Sequence, residues 1–238
     1  TWNGGLGVPV TGDRVLISAG HTVEMNGTYE WGDDSTATIV INSVSTTASI
    51  QVIGTLKASR SVTSSLTCVG NLLVVGTVDY GTEADPIPAA VTAEIVLNKS
   101  ASMANGKYRL LTPQTGDWQG LRFWGANKTP RTAMTATATT TDTVAVVGNA
   151  TGWSVGDMLV FGATPGNPSS AGIIYRTITA ISGLNITIGA AFGDTSHIGR
   201  TVLNITRNVK VRQHQGASFR TGISAFISTT QTVANCIE

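Results

Sequence analysis

Apolar and polar residues alternate over short stretches of this chain, and glycines separate the stretches. The segment DRVLISAGHTVEMN places apolar residues at Val15, Ile17, Val23 and Met25, on either side of a Gly-His pair. Alternation with a period of two is typical of β-strands that bury one face. Similar stretches follow at STATIVINSV, SIQVIGTLKA, LTCVGNLLVVGTVDYG, TAEIVLNKS and GKYRLLTP. We therefore predict an all-β fold, with no convincing amphipathic helix.

The stretches around Gly54 and Gly76 share one order, in which an apolar run, a glycine and a second apolar run follow each other. Short strands that turn at glycines are typical of a β-solenoid, where each coil packs its apolar side chains on the previous coil. A β-sandwich carries most of the same signals. Periodicity alone leaves both architectures open.

A Thr- and Ala-rich segment around Pro130 precedes a second set of strands. In that set, YRTITAISGLNITIGAAF predicts a hairpin with its turn at Ser182-Gly183. The chain then returns to short alternating stretches, and residues Val233 to Ile237 resemble an unfinished coil. We expect another subunit, or further chain beyond Glu238, to cover that apolar edge.

Composition removes two classes of partner. Charged residues make up only 12% of the chain and the net charge is +1, so no basic surface for nucleic acid is expected. No apolar run reaches the ~18 residues of a membrane span, so no membrane insertion is expected either. Cys68 and Cys236 are interpreted as buried thiols, with a disulfide as the alternative.

Carboxyl groups are the first candidates for chemistry, because polysaccharide hydrolysis commonly uses a pair of them. Asp13 and Asp157 each follow a glycine before a strand, where an aspartate typically accepts hydrogen bonds from turn N–H groups. Asp33 and Asp34 lie in a predicted loop, where calcium coordination is the alternative to solvation. The histidines are too dispersed for a metal site, so we expect no cofactor apart from that calcium alternative.

Glycan contacts are predicted at tryptophans, because an indole ring can stack on the apolar face of a sugar. Trp31, Trp118 and Trp124 are expected to be exposed, whereas Trp2 and Trp153 are expected in the core. Basic side chains from the second part of the chain complete the candidate glycan-binding residues, namely Arg176, His197 and Arg207. No catalytic residue can be assigned from the pattern.

Several segments, taken in order, resemble a known module. They are TWNGGLGVPVTGDRVLISAGHTVEMNG, IQVIGTLKA, LTCVGNLLVVGTVDYGTEADPIPAAVTAEIVL and WQGLRFWG. They resemble the domain named for its eight glycines, which occurs in fibrocystin-like proteins and in the cell-migration-inducing hyaluronidase family. The piece formed by Gly81, Thr82, Glu83 and Pro86 is its most recognisable part. GWSVGDMLVFGAT, YRTITAISG and HIGRTVLNITRNVKV resemble the segment that follows this domain in the same families.

The resemblance implies a right-handed parallel β-helix, with an eight-glycine-type domain over residues 1–128. Over residues 129–238 it implies a continuing β-rich segment with a hairpin and the start of further coils. It also implies an extracellular, glycan-related setting, and the lack of a cysteine framework favours a phage or bacterial version.

Three functions fit this sequence. The first is a structural or adhesive protein of a phage particle or bacterial surface, which contacts glycans or partner subunits. The second is a polysaccharide-degrading enzyme similar to the hyaluronidases, and the third is a purely architectural virion subunit without a ligand. We favour the first, because the sequence contains no paired catalytic motif. We expect it to form a homo-oligomer or part of a larger assembly, outside the cell or on the virion surface.

Overall fold

The computed structural model describes residues 7–32, 38–41, 44–47, 49–98, 109–112, 120–162, 173–195, 198–213 and 222–225. Over these residues the chain forms strands and no helix, which confirms the predicted all-β class. The chain divides into two compact units. The first comprises Thr1–Gly125 and Asn208–Glu238, and the second comprises Ala126–Arg207.

The first unit is built from short strands. In chain order up to the second unit they are β1 Val15–Ile17, β2 Thr22–Met25, β3 Thr28–Trp31, β4 Thr38–Ile41, β5 Val44–Thr47, β6 Ile50–Val52, β7 Thr55–Ala58, β8 Ser64–Val69, β9 Leu72–Val74, β10 Thr77–Tyr80, β11 Ala93–Asn98, β12 Arg109–Thr112 and β13 Leu121–Phe123. The second unit contributes β14 Arg131–Ala133, β15 Val144–Val146, β16 Met158–Phe161, β17 Ile174–Ser182, β18 Asn185–Ile188 and β19 Thr201–Asn204. The first unit then resumes with β20 Val209–Gln213 and β21 Gly222–Ala225.

Three parallel sheets form the first unit. Sheet 1 has the order β1-β6-β9-β12-β21, sheet 2 the order β2-β7-β10-β13 and sheet 3 the order β3-β8-β11-β20. The chain visits them in the same sequence each time, and we call one passage through sheets 1, 2 and 3 a cycle. The antiparallel hairpin β4-β5 lies between the first and second cycles. In chain order, the second unit interrupts the fourth cycle between β13 and β20.

The strands of successive cycles are paired in register, so equivalent side chains form columns through the unit. In sheet 1, Val15 is paired with Ile50, and Ile50 with Leu72. All three side chains are buried. Sheets 2 and 3 contribute further buried columns, including Leu56 with Val78 and Trp31 with Cys68 and Leu97. These columns make one apolar core from strands that are each only three to six residues long.

A column of glycines lies between sheets 1 and 2. A Cβ atom added to Gly76 would meet the carbonyl oxygens of Ile53 and Gly54. One added to Gly54 would meet those of Ser18 and His21, and one added to Gly120 would meet that of Gly76. The close approach allows a hydrogen bond between neighbouring cycles, in which the Thr77 N–H donates to the Gly54 carbonyl at 2.8 Å. Glycine is required here because the backbones of neighbouring cycles touch where a side chain would stand.

The second unit is an antiparallel sheet of six strands in the order β14-β19-β16-β17-β18-β15. Its two edges are joined by a bridge between Met134 and Val147, so the sheet closes on itself as a small barrel. The predicted hairpin is confirmed as β17-β18, with Ser182 paired to Asn185. Gly183, at the first turn position, has a φ of 60°, which suits the tight two-residue turns of hairpins. An apolar cluster packs inside the barrel and includes a Phe161–Phe192 edge-to-face contact.

These units differ from the predicted division after residue 128. The chain leaves the first unit after Gly125 and returns to it at Asn208, because β20 pairs with β11 and β21 pairs with β12. The side-chain nitrogen of Asn208 secures this return, since it lies 3.0 Å from the carbonyl oxygens of Ile87 and Pro88 and 2.9 Å from that of Val91.

We predict that Gly76→Ala lowers the unfolding temperature of the protein, because the new methyl group meets backbone that cannot move independently. Overpacking of this kind costs about 1–3 kcal/mol. Gly27→Ala is the matched control, since a Cβ there meets only the end of the Tyr29 side chain at 3.5 Å. Thermal unfolding measured by circular dichroism should separate the two variants. Equal unfolding temperatures would contradict the close packing described for Gly76.

Asn208→Ala should also destabilise the protein, because the carbonyl oxygens of Ile87, Pro88 and Val91 lose their shared donor. The expected loss is on the order of 1–3 kcal/mol in the free energy of unfolding, measured with urea. Asn127→Ala, at an exposed position, serves as the control and should leave the urea midpoint unchanged. A wild-type midpoint for Asn208→Ala would show that this amide does not secure the returning strand.

Candidate functional site

Trp124 is an exposed tryptophan on a fixed backbone. It follows β13, and its N–H donates to the Tyr80 carbonyl at 3.1 Å while its own carbonyl accepts the Ile87 N–H at 2.9 Å. That carbonyl occupies the space that a Cβ of Gly81 would need, and Gly81 has a φ of 110°. Its residue exposure is 47%. The prediction that Trp124 is exposed is therefore confirmed.

A column of charged residues crosses the outer face of sheet 2 beside this tryptophan. The residues alternate with buried ones such as Leu56 and Val78, so they point away from the core. The register aligns them in the order Glu24, Lys57, Asp79 and Arg122. The sign of the charge alternates from strand to strand. Opposite charges on neighbouring strands attract each other, so this column favours the observed register.

Arg60 connects this column to the loop that follows β10. Its Nη2 donates to Asp79 Oδ1 at 2.9 Å and its Nε to Asp85 Oδ2 at 3.1 Å. Its Nη1 donates to the Ala58 carbonyl at 2.9 Å, and the Gly81 N–H donates to Asp79 Oδ1 at 3.0 Å. The loop beneath Trp124 is thus held by a network of ion pairs and hydrogen bonds.

The pKa of Asp79 is lowered from its ordinary value of 3.8. Partial burial acts in the opposite direction, but the hydrogen bonds from Arg60 and the Gly81 N–H outweigh it, together with the positive charges of Arg60 and Arg122. Asp79 is therefore ionised at neutral pH. It can accept hydrogen bonds from a ligand, but it is not prepared to donate a proton.

Trp31 is not the exposed loop residue that we expected. It ends β3, is 1% exposed and packs in the core opposite Cys68. The alternation of side chains along β3 explains this burial, because Tyr29 and Trp31 point inward while Thr28 and Glu30 point outward. A ring in this position cannot stack on a sugar. Cys68 beside it is a free buried thiol whose pKa is raised by burial.

The two described arginines among the predicted glycan-binding residues bond to backbone carbonyls of the second unit. Arg176 donates to the carbonyls of Ala190, Ala191 and Phe192 at its half-buried end. Arg207 donates to the carbonyls of its near neighbours in sequence. A glycan contact by either arginine stays a prediction. Trp118 and His197 lie outside the described residues, as do Trp2, Asp33 and Asp34.

The two turn aspartates have the roles that the sequence indicates. Asp13 Oδ2 accepts the Val10 N–H at 3.0 Å, and Asp157 Oδ2 accepts the Ser154 N–H at 2.9 Å. Asp142 makes the same contact with the Thr139 N–H, and this bond lowers its pKa. Trp153, predicted in the core, is buried there.

No prediction from the sequence included Arg60, Asp79 or Arg122, which belong to the charged column and its network of ion pairs. A signal for part of the set exists in the repeated pattern of threonine, apolar residue and charged residue at Thr22-Val23-Glu24, Thr55-Leu56-Lys57 and Thr77-Val78-Asp79. The parallel register turns that repeat into two columns on one face.

Within the described part of the chain, no group of three or more His, Cys, Asp or Glu side chains is arranged to hold a metal ion. No helix long and apolar enough to span a bilayer occurs among the same residues. Comparison with protein-family models, curated proteins and solved structures finds no match to this chain.

Because the pKa of Asp79 is lowered on folding, its ion pair stabilises the protein above the ordinary value of 3.8. That contribution is lost as the pH falls through the lowered value. We expect the unfolding temperature to fall over this acidic range, and the fall to be smaller in Arg60→Met. Arg131→Met, which removes an exposed arginine in the second unit, is the control. An identical acid dependence in Arg60→Met and wild type would contradict a stabilising role for this pair.

Proposed function

We propose that the first unit is a right-handed parallel β-helix and that sheets 1, 2 and 3 are its three faces. Support comes from the cyclic order of the strands and from the in-register columns that join successive cycles. A right-handed path follows the general rule for connections between parallel strands of one sheet. The sequence resemblance to the eight-glycine domain points to the same architecture.

We further propose that this β-helix is a structural and adhesive module of a phage particle or bacterial surface, which contacts polysaccharide through the face around Trp124. The observation that carries this proposal is an exposed indole on a backbone fixed by hydrogen bonds. It follows the strand that carries the exposed Arg122, and that strand is paired with the one that carries the ionised Asp79. Sugars present apolar C–H faces and hydroxyl groups to a protein. The indole suits the former, and carboxylate and guanidinium groups suit the latter.

Binding is proposed in preference to cleavage for a chemical reason. Glycoside hydrolysis uses one carboxyl group that stays protonated near neutral pH, which requires a raised pKa. Four described carboxyl groups have a lowered pKa, so none of the four suits this role; they are Asp79, Glu94, Asp142 and Asp157. As part of the same proposal, the module lies outside the cell or on a virion, as a homo-oligomer or beside other subunits.

Polysaccharide binding is the direct test. Wild-type protein should bind at least one member of a panel of bacterial capsular and cell-wall polysaccharides, measured by biolayer interferometry. Trp124→Ala should weaken that binding about tenfold or more, because the stacking surface is lost. Tyr175→Ala, which removes an exposed aromatic ring from the second unit, should leave binding unchanged.

Each of three results would overturn the proposal. The first is wild-type protein that binds none of the polysaccharides, and the second is a Trp124→Ala variant that binds as well as wild type. The third is shortening of the polysaccharide by the purified protein, measured by size-exclusion chromatography, because it would indicate hydrolysis. The unfolding temperature of Trp124→Ala should match that of wild type, since the indole is exposed.

A further inference from the structure

Three polar side chains, those of Lys128, Asp157 and Asn204, meet in the interior of the second unit. The lysine and aspartate side chains are 7% and 5% exposed, and Asn204 is 1% exposed. Lys128 precedes β14, Asp157 precedes β16 and Asn204 ends β19. The three residues are therefore distant in sequence, and the barrel brings them together.

One carboxylate touches the nitrogen atoms of both other residues. Asp157 Oδ1 lies 2.6 Å from Lys128 Nζ, and Asp157 Oδ2 accepts a hydrogen bond from Asn204 Nδ2 at 2.8 Å. Asn204 Oδ1 accepts the Thr206 N–H at 3.0 Å. These partners determine the orientation of the amide, since a carboxylate only accepts hydrogen bonds and a backbone N–H only donates.

A buried ion pair alone is a poor source of stability, because taking both charges out of water costs about as much as their attraction returns. The contacts instead bring together the groups that acyl transfer uses. The Lys128 amine, which is the nucleophile, and the Asn204 amide contact the same carboxylate. The Thr206 N–H donates to the amide oxygen, where negative charge would develop.

We propose that Lys128 and Asn204 become joined by an intramolecular isopeptide bond, with Asp157 as the proton carrier. Asp157 first takes a proton from the Lys128 ammonium group. The neutral Nζ then attacks Cγ of Asn204 and forms the new C–N bond, while the Thr206 N–H stabilises the negative charge on Oδ1. Asp157 gives its proton to Nδ2 and takes the second proton from Nζ. The Cγ–Nδ2 bond breaks and ammonia leaves.

The reaction is balanced without an oxidant or an energy source, since an amine and a primary amide give a secondary amide and ammonia. Asp157 ends the reaction protonated and next to a neutral amide, because burial raises its pKa and the Lys128 charge that lowers it in the starting state is gone. The product thus contains no buried charge at this position, whereas the starting state contains two. Burial of an ion pair is costly, so the fold itself favours the linked form.

The bond would connect the two ends of the second unit. β14 and β19 are antiparallel neighbours, with Arg131 paired to Leu203, and the Asn204 N–H donates to the Pro130 carbonyl at 3.0 Å. A covalent link here closes a loop over nearly the whole unit. Such a link stabilises a fold in the same way as a disulfide, by restricting the unfolded chain.

Intact-mass spectrometry of the purified wild-type protein tests the proposal directly. The protein should be lighter than its sequence mass by one ammonia molecule. Trypsin should fail to cleave after Lys128, and the peptide Phe123–Arg131 should be found joined to Thr201–Arg207. Lys128→Arg and Asp157→Asn should each restore the full sequence mass, and Lys210→Arg, an exposed lysine of the first unit, should keep the loss.

A succinimide at Asn26-Gly27 would also release ammonia, but that loss would persist in Lys128→Arg and would yield no joined peptide. Wild-type protein with its full sequence mass overturns the proposal, and this measurement does not depend on whether any variant folds. A mass loss that is unaffected by Lys128→Arg overturns it as well.

Discussion

Hydrogen bonding between the backbones of successive cycles is the constraint on which the first unit depends. Each strand pairs in register with the equivalent strand of the next cycle, although the segments that connect the sheets differ in length from one cycle to the next. Between sheets 1 and 2 the neighbouring cycles lie so close that no side chain fits, and Gly54, Gly76 and Gly120 occupy that column. The columns of buried Val, Ile and Leu follow from the same alignment, because the residues above and below each other then have the same environment.

The candidate site depends on this alignment too. Glu24, Lys57, Asp79 and Arg122 come from four cycles, and only the register between strands makes them neighbours. Trp124 extends the outermost of these strands, and its carbonyl fits against Gly81 of the previous cycle. A rigid face of this kind presents an aromatic ring and ionised groups at a constant spacing. The proposed contact with a repetitive polymer rests on this property.

Local patterns in the sequence were sufficient for the strands, for the hairpin at Gly183 and for the turn aspartates Asp13 and Asp157. Each depends on residues that are close in sequence, where period-two alternation and turn chemistry act directly. The predicted exposure of Trp31 was wrong, because an alternating pattern indicates that a strand has two faces without indicating which face is buried. Neither the return of the chain at Asn208 nor the meeting of Lys128 and Asn204 at Asp157 could be predicted, because both depend on pairing between distant strands. The threonine-containing repeat could have indicated the charged column, but only together with the parallel register.

The second unit begins and ends at adjacent positions, because its first and last strands are paired with each other. The number of residues between Ala126 and Arg207 therefore does not affect the distance between β13 and β20. Any compact unit whose termini lie side by side could occupy the same place in the chain without changing the pitch of the cycles. A whole module could therefore be inserted or replaced at this position while the surrounding strands keep their sequence.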